Sequence, residues 1–207
     1  MKVILLNGPP GSGKDSAAIY FADQHRAVSC QKFAQPISDS LRAVFGINMS
    51  EWARLYSEHK EEPLNALGGL SPRQAMIWMS EEVIKPKFGK EFFGKSAANR
   101  VKGLFWNEPS LTKGMVTFSD CGFPEEVKVF IEEINPIAKK EDIHLVYIHK
   151  EGCTYEGDSR MKVEPEDVGL TREMNYHIID NNGTKKDLYT SVGDLIKTIN
   201  KEGYKTL

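Results

Sequence analysis

The run Val3-Ile4-Leu5-Leu6-Asn7-Gly8-Pro9-Pro10-Gly11-Ser12-Gly13-Lys14-Asp15-Ser16 leaves this chain few choices of fold. Val3–Leu6 is an apolar run of strand length, and the glycine- and proline-rich stretch after it reads as a tight turn. From Lys14 to Gln24, Ala17, Ala18, Tyr20 and Phe21 recur at helical spacing. Strand, glycine turn and helix in that order form the layout of a phosphate-binding P-loop. Gly8-x-x-x-x-Gly13-Lys14 fits that pattern at every position but the last. Where the pattern has Ser or Thr, the chain has Asp15, with the hydroxyl one place later at Ser16.

The chemistry follows from the need to hold a polyanion with few cationic side chains. Consecutive backbone N–H groups in a tight loop make an anion cradle, and Gly8, Gly11 and Gly13 allow the backbone the approach this requires. The helix after the loop adds its unpaired N–H groups and the positive end of its dipole. Lys14 is placed to bridge the outer phosphates of a nucleoside triphosphate, so Gly8, Gly11, Ser12, Gly13, Lys14, Asp15 and Ser16 are the expected nucleotide contacts. Magnesium is the expected cation, because it takes hard oxygen ligands and bridges phosphates. Ser16 and Asp15 are candidates to hold it, with Asp15 either ligating or facing away.

The 207 residues, 40% hydrophobic, suffice for one substantial core with an inserted subdomain. A net charge of −2 argues against nucleic-acid coating or membrane-surface binding. No apolar run reaches the ~20 residues that span a bilayer, and no signal peptide is read ahead of the first strand. Cys30, Cys121 and Cys153 stand singly, without metal-like spacing, which suits a reduced cytoplasmic setting. His144 and His149 flank an apolar strand and are expected to serve no catalytic role, and His25, His59 and His177 carry no metal-site spacing. A homodimer is left open.

Strand-like runs recur at Ala27–Phe33, Met115–Phe118, Ile143–Ile148 and Tyr176–Ile179, with helical patterns between them. Val127, Phe130, Ile131 and Ile134 give one apolar face, and Leu188, Val192, Leu195, Ile196 and Ile199 another. Alternation of this kind predicts an α/β fold, a five-stranded parallel sheet in a three-layer arrangement. Residues 34–104 read as a helical insertion, with candidates at Pro36–Phe45, Ser50–Ser57, Ser71–Lys85 and Lys90–Lys102. Ser71-Pro72 is a good helix entry. Residues 151–175 form a polar, glycine-containing stretch with Arg160 and Arg172, long enough to suggest a lid. The tryptophans Trp52, Trp78 and Trp106 read as packing residues, one of which could stack a base.

On these segments the chain resembles P-loop nucleoside monophosphate kinases, and most closely the deoxynucleoside monophosphate kinases of tailed phages. Gly11-Ser12-Gly13-Lys14-Asp15-Ser16 is similar to that family's Ser-Gly-Lys-Asp-Thr loop, which makes Asp15 a family trait. Ser71-Pro72-Arg73-Gln74-Ala75-Met76 resembles an arginine-bearing helix of the substrate lobe. Val116-Thr117-Phe118-Ser119-Asp120 resembles the strand ending in an active-site aspartate. Gly169-Leu170-Thr171-Arg172, leading to Ile179-Asp180-Asn181-Asn182-Gly183, resembles the lid arginine and last strand.

The resemblance implies ATP- and magnesium-dependent phosphorylation of a (deoxy)nucleoside monophosphate, in a host cytoplasm if the gene is a phage's. It implies catalytic roles for Lys14, Asp120 and Arg172, acceptor binding by Arg73 and Arg160, and Asp120 beside Ser16 and Asp15 at the metal. Asn182 either borders the adenine or makes a turn. The sequence departs from the family's Asp-x-Arg pattern after the strand-end aspartate, where Gly122 stands in the arginine's place; Lys128, Arg42 or Arg100 could substitute. Two alternatives stay open: a P-loop kinase acting on another small phosphorylated metabolite, and a non-catalytic nucleotide-binding regulatory protein. A GTPase is disfavoured, since no Asn-Lys-x-Asp segment is present.

Overall fold

The computed structural model describes residues 1–24, 28–107 and 114–202. They form two compact units, one of residues 1–33 with 94–207 and one of Ala34–Phe93. The second lies within the 34–104 insertion expected from sequence. Ala27, at the edge of an expected strand, and His25 lie outside the described residues.

The larger unit is built on five parallel strands, β1 (Lys2–Asn7), β2 (Val28–Gln31), β3 (Met115–Cys121), β4 (Ile143–His149) and β5 (Tyr176–Asp180). Their order across the sheet is β2-β3-β1-β4-β5. Parallel strands need crossovers, which cover both faces of the sheet; central strands therefore carry apolar residues at successive positions rather than at alternate ones. Val3, Ile4, Leu5 and Leu6 are all fully buried, as are Leu145, Val146 and Ile148. With β3 and β4 on either side of β1, their C-terminal ends frame the loop that leaves β1, the usual place for a ligand in an open α/β sheet.

One face is covered by α1 (Lys14–Gln24) and α9 (Lys185–Glu202). There Ala17, Ala18, Phe21, Leu188, Val192 and Ile199 pack against Ile4, Leu6 and Val146, and Tyr20 stacks on Tyr189. The other face is covered by α7 (Pro124–Ile134). Phe130 meets Phe118 edge-on at 4.9 Å and Phe33 at 5.4 Å, in one aromatic cluster. α6 (Phe92–Asn107) buries Ala97, Ala98 and Val101. It approaches α7 so closely at Gly94 that a Cβ there would overlap the Glu126 carbonyl.

The helical unit contains α2 (Gln35–Phe45), α3 (Met49–Glu58), α4 (Pro72–Ile77) and α5 (Lys85–Phe88). Asn48 caps α3 by accepting from the Glu51 N–H at 2.9 Å. Ser71 and Gln74 make a reciprocal capping box at α4, with Pro72 at the first helical position. The helix expected over Ser71–Lys85 is interrupted: Trp78–Ile84 is π-helical, and the Lys85 N–H reaches back to Ser80. Pro86 supplies a physical reason, since it has no N–H to give Glu82 and its ring crowds that carbonyl. Trp52 is buried as a packing residue, whereas Trp78 is 37% exposed and Trp106, on α6 of the larger unit, 74%.

At the N-terminal half of the sheet, His144 of β4 lies 1% exposed with its Nδ1 3.1 Å from His177 Nε2 of β5. Its Nε2 is buried without a hydrogen-bond partner. Burial, reinforced by the charges of His177 and Lys2, depresses its pKa from 6.5 to about 3. No described helix is long and apolar enough to cross a membrane.

Two stability predictions follow from this packing. Gly94→Ala must push α6 off α7 and is expected to cost about 2 kcal/mol or more, read from urea midpoints. His144 is neutral when folded but ordinary when unfolded. Its contribution is therefore complete above pH 6.5 and is lost as pH falls from there towards about 3, on the order of several kcal/mol in all. His144→Gln should flatten stability against pH over that window; an unchanged slope would rule this origin out.

Candidate active site

β1 ends at Asn7, and the chain turns through Gly8–Gly13 into α1. Two close approaches set the turn. At Gly13, φ is 103° and a Cβ would lie 2.5 Å from Asn181 Nδ2; at Gly8, a Cβ would lie 2.5 Å from the Ile148 carbonyl. Only glycine meets both conditions at Gly13. Asn181 Nδ2 then donates to the Ser12 carbonyl at 2.8 Å, pinning the loop to the end of β5. The Ser12 side chain is fully buried in the turn.

Lys14 is 7% exposed. Its Nζ donates to the Gly8 carbonyl at 2.6 Å and the Pro9 carbonyl at 2.7 Å, so the ammonium lies against the loop it follows. Burial first, and then the positive charge of Arg160, lower its pKa from 10.5 to about 8, against the weaker pull of Asp15, Asp158 and Cys121. A buried ammonium that also feels a guanidinium charge favours a bound anion, since a polyanion relieves both the desolvation and the repulsion.

Asp15 turns toward β3. Ser119 Oγ donates to its Oδ1 at 2.7 Å, and Lys32 Nζ lies 3.1 Å from the same oxygen. Desolvation pushes its carboxyl up, but Lys32 and the Ser119 hydrogen bond outweigh this and hold it below the usual range. Asp120 is on the next residue of β3, and its Oδ1 accepts the Phe33 N–H at 2.8 Å. Asp15, Ser16, Ser119 and Asp120 are all hard-oxygen donors, carried at the start of α1 and the end of β3. That chemistry suits magnesium, which takes one or two carboxylates and fills its remaining positions with phosphates and water. Among the described residues no group of three or more His, Cys, Asp or Glu could hold a metal by protein ligands alone. The neighbouring Cys121 thiol is pushed up by burial, with Asp120 and Glu126 adding to it, and is inert.

The segment 151–175 divides into two parts. Its first part runs along the P-loop. A Cβ on Gly11 would lie 3.4 Å from Cys153 Sγ, and Tyr155 Oη donates to Asn7 Oδ1 at 3.2 Å. Arg160 lies in this part and reaches the field of Lys14. Its second part runs to the other end of the sheet. Asn175, in the short helix α8 (Arg172–Asn175), donates to the Ile143 carbonyl at the start of β4, at 2.9 Å. Arg172 donates to Glu164 at 2.8 Å and Glu166 at 3.0 Å and lies over the Tyr176 ring. Of the two lid arginines expected at the loop, Arg160 lies in the part that runs along it, paired with Asp158 and with its charge felt by Lys14, and Arg172 is held by acids of its own segment. Its helix is moored where the strands begin, whereas the P-loop lies where they end.

Arg73 belongs to the helical unit, on α4, and pairs with Glu61 at 3.5 Å. Asn182 makes a turn, its Oδ1 accepting the Glu151 N–H at 2.8 Å, while its neighbour Asn181 contacts the P-loop. Sequence reading missed Asn7, Ser119, Asp158 and Asn181. Asn181 alone had a signal, the Asn-Asn-Gly turn, and nothing there told the two asparagines apart.

No protein-family model matches this sequence, and no curated protein matches it. Among solved structures the chain is similar to a thymidylate kinase from Candida albicans, at 14% identity over 97% of this chain and 92% of that one, with a TM-score of 0.47. It is similar to a sugar kinase from Janibacter sp. HTCC2649, at 11% identity over 96% and 98%, TM-score 0.45. A de novo designed protein of P-loop NTPase fold gives 11% identity over 100% and 99%, TM-score 0.41. The α/β fold with its five-stranded parallel sheet stands on the strand order and pairing within this chain.

The depressed pKa of Lys14 has a thermodynamic consequence. The unfolded lysine binds its proton more tightly, so below about pH 8 the buried charge costs stability, about 3 kcal/mol at most, and this cost disappears as pH rises from about 8 to 10.5. Lys14→Met should therefore be more stable than the parent at pH 7, with the difference shrinking towards pH 10.5. Thermal melts across that range decide it, and a variant less stable at pH 7 would refute the assignment.

Proposed function

We propose that this protein is a P-loop phosphotransferase that moves the γ-phosphoryl group of ATP onto a small phosphorylated acceptor, a (deoxy)nucleoside monophosphate. The observation that carries the reading is Lys14: a buried ammonium folded into a glycine turn at the end of the central strand, with the Arg160 charge acting on it. In-line transfer between phosphates needs positioning and charge stabilisation more than covalent chemistry. The loop N–H groups from Gly8 to Ser16 and the start of α1 would hold the donor phosphates. Lys14 would leave the Gly8 and Pro9 carbonyls for the oxygens that gain charge as the bond to the leaving diphosphate lengthens.

Magnesium, held by Ser16 with Asp15 or Asp120, would neutralise phosphate charge when bound. Ser119 and Lys32 orient Asp15 for this, and Asp120 is kept in place by the Phe33 N–H. Asn182, at the turn after β5, would border the base. Arg73 would offer a planar fork to the acceptor phosphate. Transfer to an acceptor rather than to water requires a closed site, and the first part of the 151–175 segment, which runs along the P-loop, would supply its cover.

A second reading, nucleotide binding without transfer, is favoured by Gly122 in place of an arginine after Asp120. Acceptor-dependent ADP release separates the two. The parent protein should release ADP from ATP only when a nucleoside monophosphate is added, and Lys14→Met should lose that turnover by at least 1,000-fold while remaining folded. ATP binding without acceptor-dependent release would establish the second reading. Release with other phosphorylated metabolites, and none with nucleotides, would move the acceptor class.

A further inference from the structure

The strongest unexplained feature lies where β3 gives way to Gly122. A Cβ at that position would fall 2.5, 2.7 and 2.9 Å from Cβ, Cγ and Cδ of Arg160, so the arginine stem lies flat on the bare glycine backbone. The Met161 N–H donates to the Gly122 carbonyl at 2.9 Å and fixes the register of the two segments. Beside them Asp158, its side chain 4% exposed, takes the guanidinium in bidentate fashion, from Nε at 2.8 Å and an Nη at 2.6 Å. It also accepts the Arg160 backbone N–H at 2.9 Å. Few surface arginines are held in this way; two of the five guanidinium N–H donors and the residue's own backbone are committed to one carboxylate.

The segment bearing this pair is itself fastened at three points by Asn7, which is fully buried. Asn7 Nδ2 donates to the Met161 carbonyl at 3.0 Å, and Oδ1 accepts from the Val163 N–H at 3.1 Å and from Tyr155 Oη at 3.2 Å. The next residue along β1 is Gly8, where the P-loop begins.

We propose that Asp158 is a positioning residue and Gly122 its seat: together they fix Arg160 at the rim of the P-loop, where its guanidinium binds the oxygens of a bound polyphosphate. On this view residues 153–163 are a fixed strap carrying a preset cation. Gly122 is then the space that lets an arginine of the strap occupy the end of β3. The inference rests on the phosphotransferase reading for its biological use, but it concerns polyphosphate binding and is testable without turnover.

The experiment is calorimetric titration of the full chain with inorganic tripolyphosphate, for the parent, Lys14→Met, Asp158→Asn, Arg160→Met, Arg160→Lys and the Asp158→Asn/Arg160→Met pair. Arg160→Met is expected to weaken binding about tenfold or more, and Asp158→Asn several-fold with an unchanged melting profile. The double variant should be no weaker than Arg160→Met alone, because Asp158 acts only through the arginine. Arg160→Lys, which keeps charge but loses the fork, should fall between. Gly122→Ala, which drives the stem away, should reproduce the Arg160→Met loss. Additive losses in the double variant, or parent-like binding by Arg160→Met while Lys14→Met is impaired, would overturn the proposal. Absence of tripolyphosphate binding in the parent would overturn it together with the phosphate-site reading. Binding as expected without acceptor-dependent ADP release would leave the clamp standing and remove only the transfer.

Discussion

A single buried amide holds the working end of this molecule together. Asn7 is the last residue of the central strand, and its side chain makes four hydrogen bonds, to Cys121 at the end of β3 and to Tyr155, Met161 and Val163 of the strap. An amide with no exposure to water must find partners or cost one to several kcal/mol, so folding cannot complete at this end until strap and strand meet it. The satisfied network is worth more than its bonds, because it sets the distance between the P-loop and the chain that faces it. Every charge of the candidate site in the larger unit is referred to that frame: Lys14 through Gly8, Arg160 through Met161, Asp15 through β3.

Lys14 is electrostatically unfavourable as it stands: it is buried and feels the Arg160 charge, and neither burial nor that charge favours its proton. Proteins hold such arrangements where a ligand relieves them, accepting lower stability for affinity and preorganisation. Asp158 moderates the repulsion and at the same time keeps the arginine oriented, through its hydrogen bonds from Nε and Nη. An arginine left to itself would lose side-chain entropy, ~2 kcal/mol, on engaging phosphate; one already gripped on Asp158 has lost most of it on folding.

How far the residues alone could be read depended on the range of the interactions involved. Patterns that act within a few residues were legible. The apolar run Val3–Leu6, the glycine spacing up to Lys14, the helical faces of α7 and α9 and the Ser71-Pro72 cap all have local causes, and each element formed within a few residues of the expected place. The π-helical stretch Trp78–Ile84 escaped because its apolar spacing still looks helical and Pro86 acts backwards along the chain. Asn7 escaped because Leu-Asn-Gly carries no mark of the four partners it meets, all of them more than a hundred residues away. The arginines of the 151–175 segment show the limit most clearly. Arg160 and Arg172 look equivalent in sequence, and only the mooring of Asn175 at the start of β4 and of Met161 at the end of β3 carries them to different ends of the sheet.

The same distinction bears on Gly122. Read as a string, a glycine where an arginine is expected looks like a lost cation. Read in space, it is a surface without a side chain, over which a cation from elsewhere in the chain is laid. What a phosphate oxygen requires is a donor of fixed direction at a fixed point, and it is indifferent to which segment carries the stem. A strand-borne arginine would gain its direction from the sheet; a strap-borne one must gain it from a partner, which is the part Asp158 plays. The two solutions differ in what they couple. An arginine on β3 would be set by the sheet whether or not the strap were in place. Arg160 is set only when Asn7 has captured the strap, so completion of the phosphate site and closure of the fold around β1 become one event.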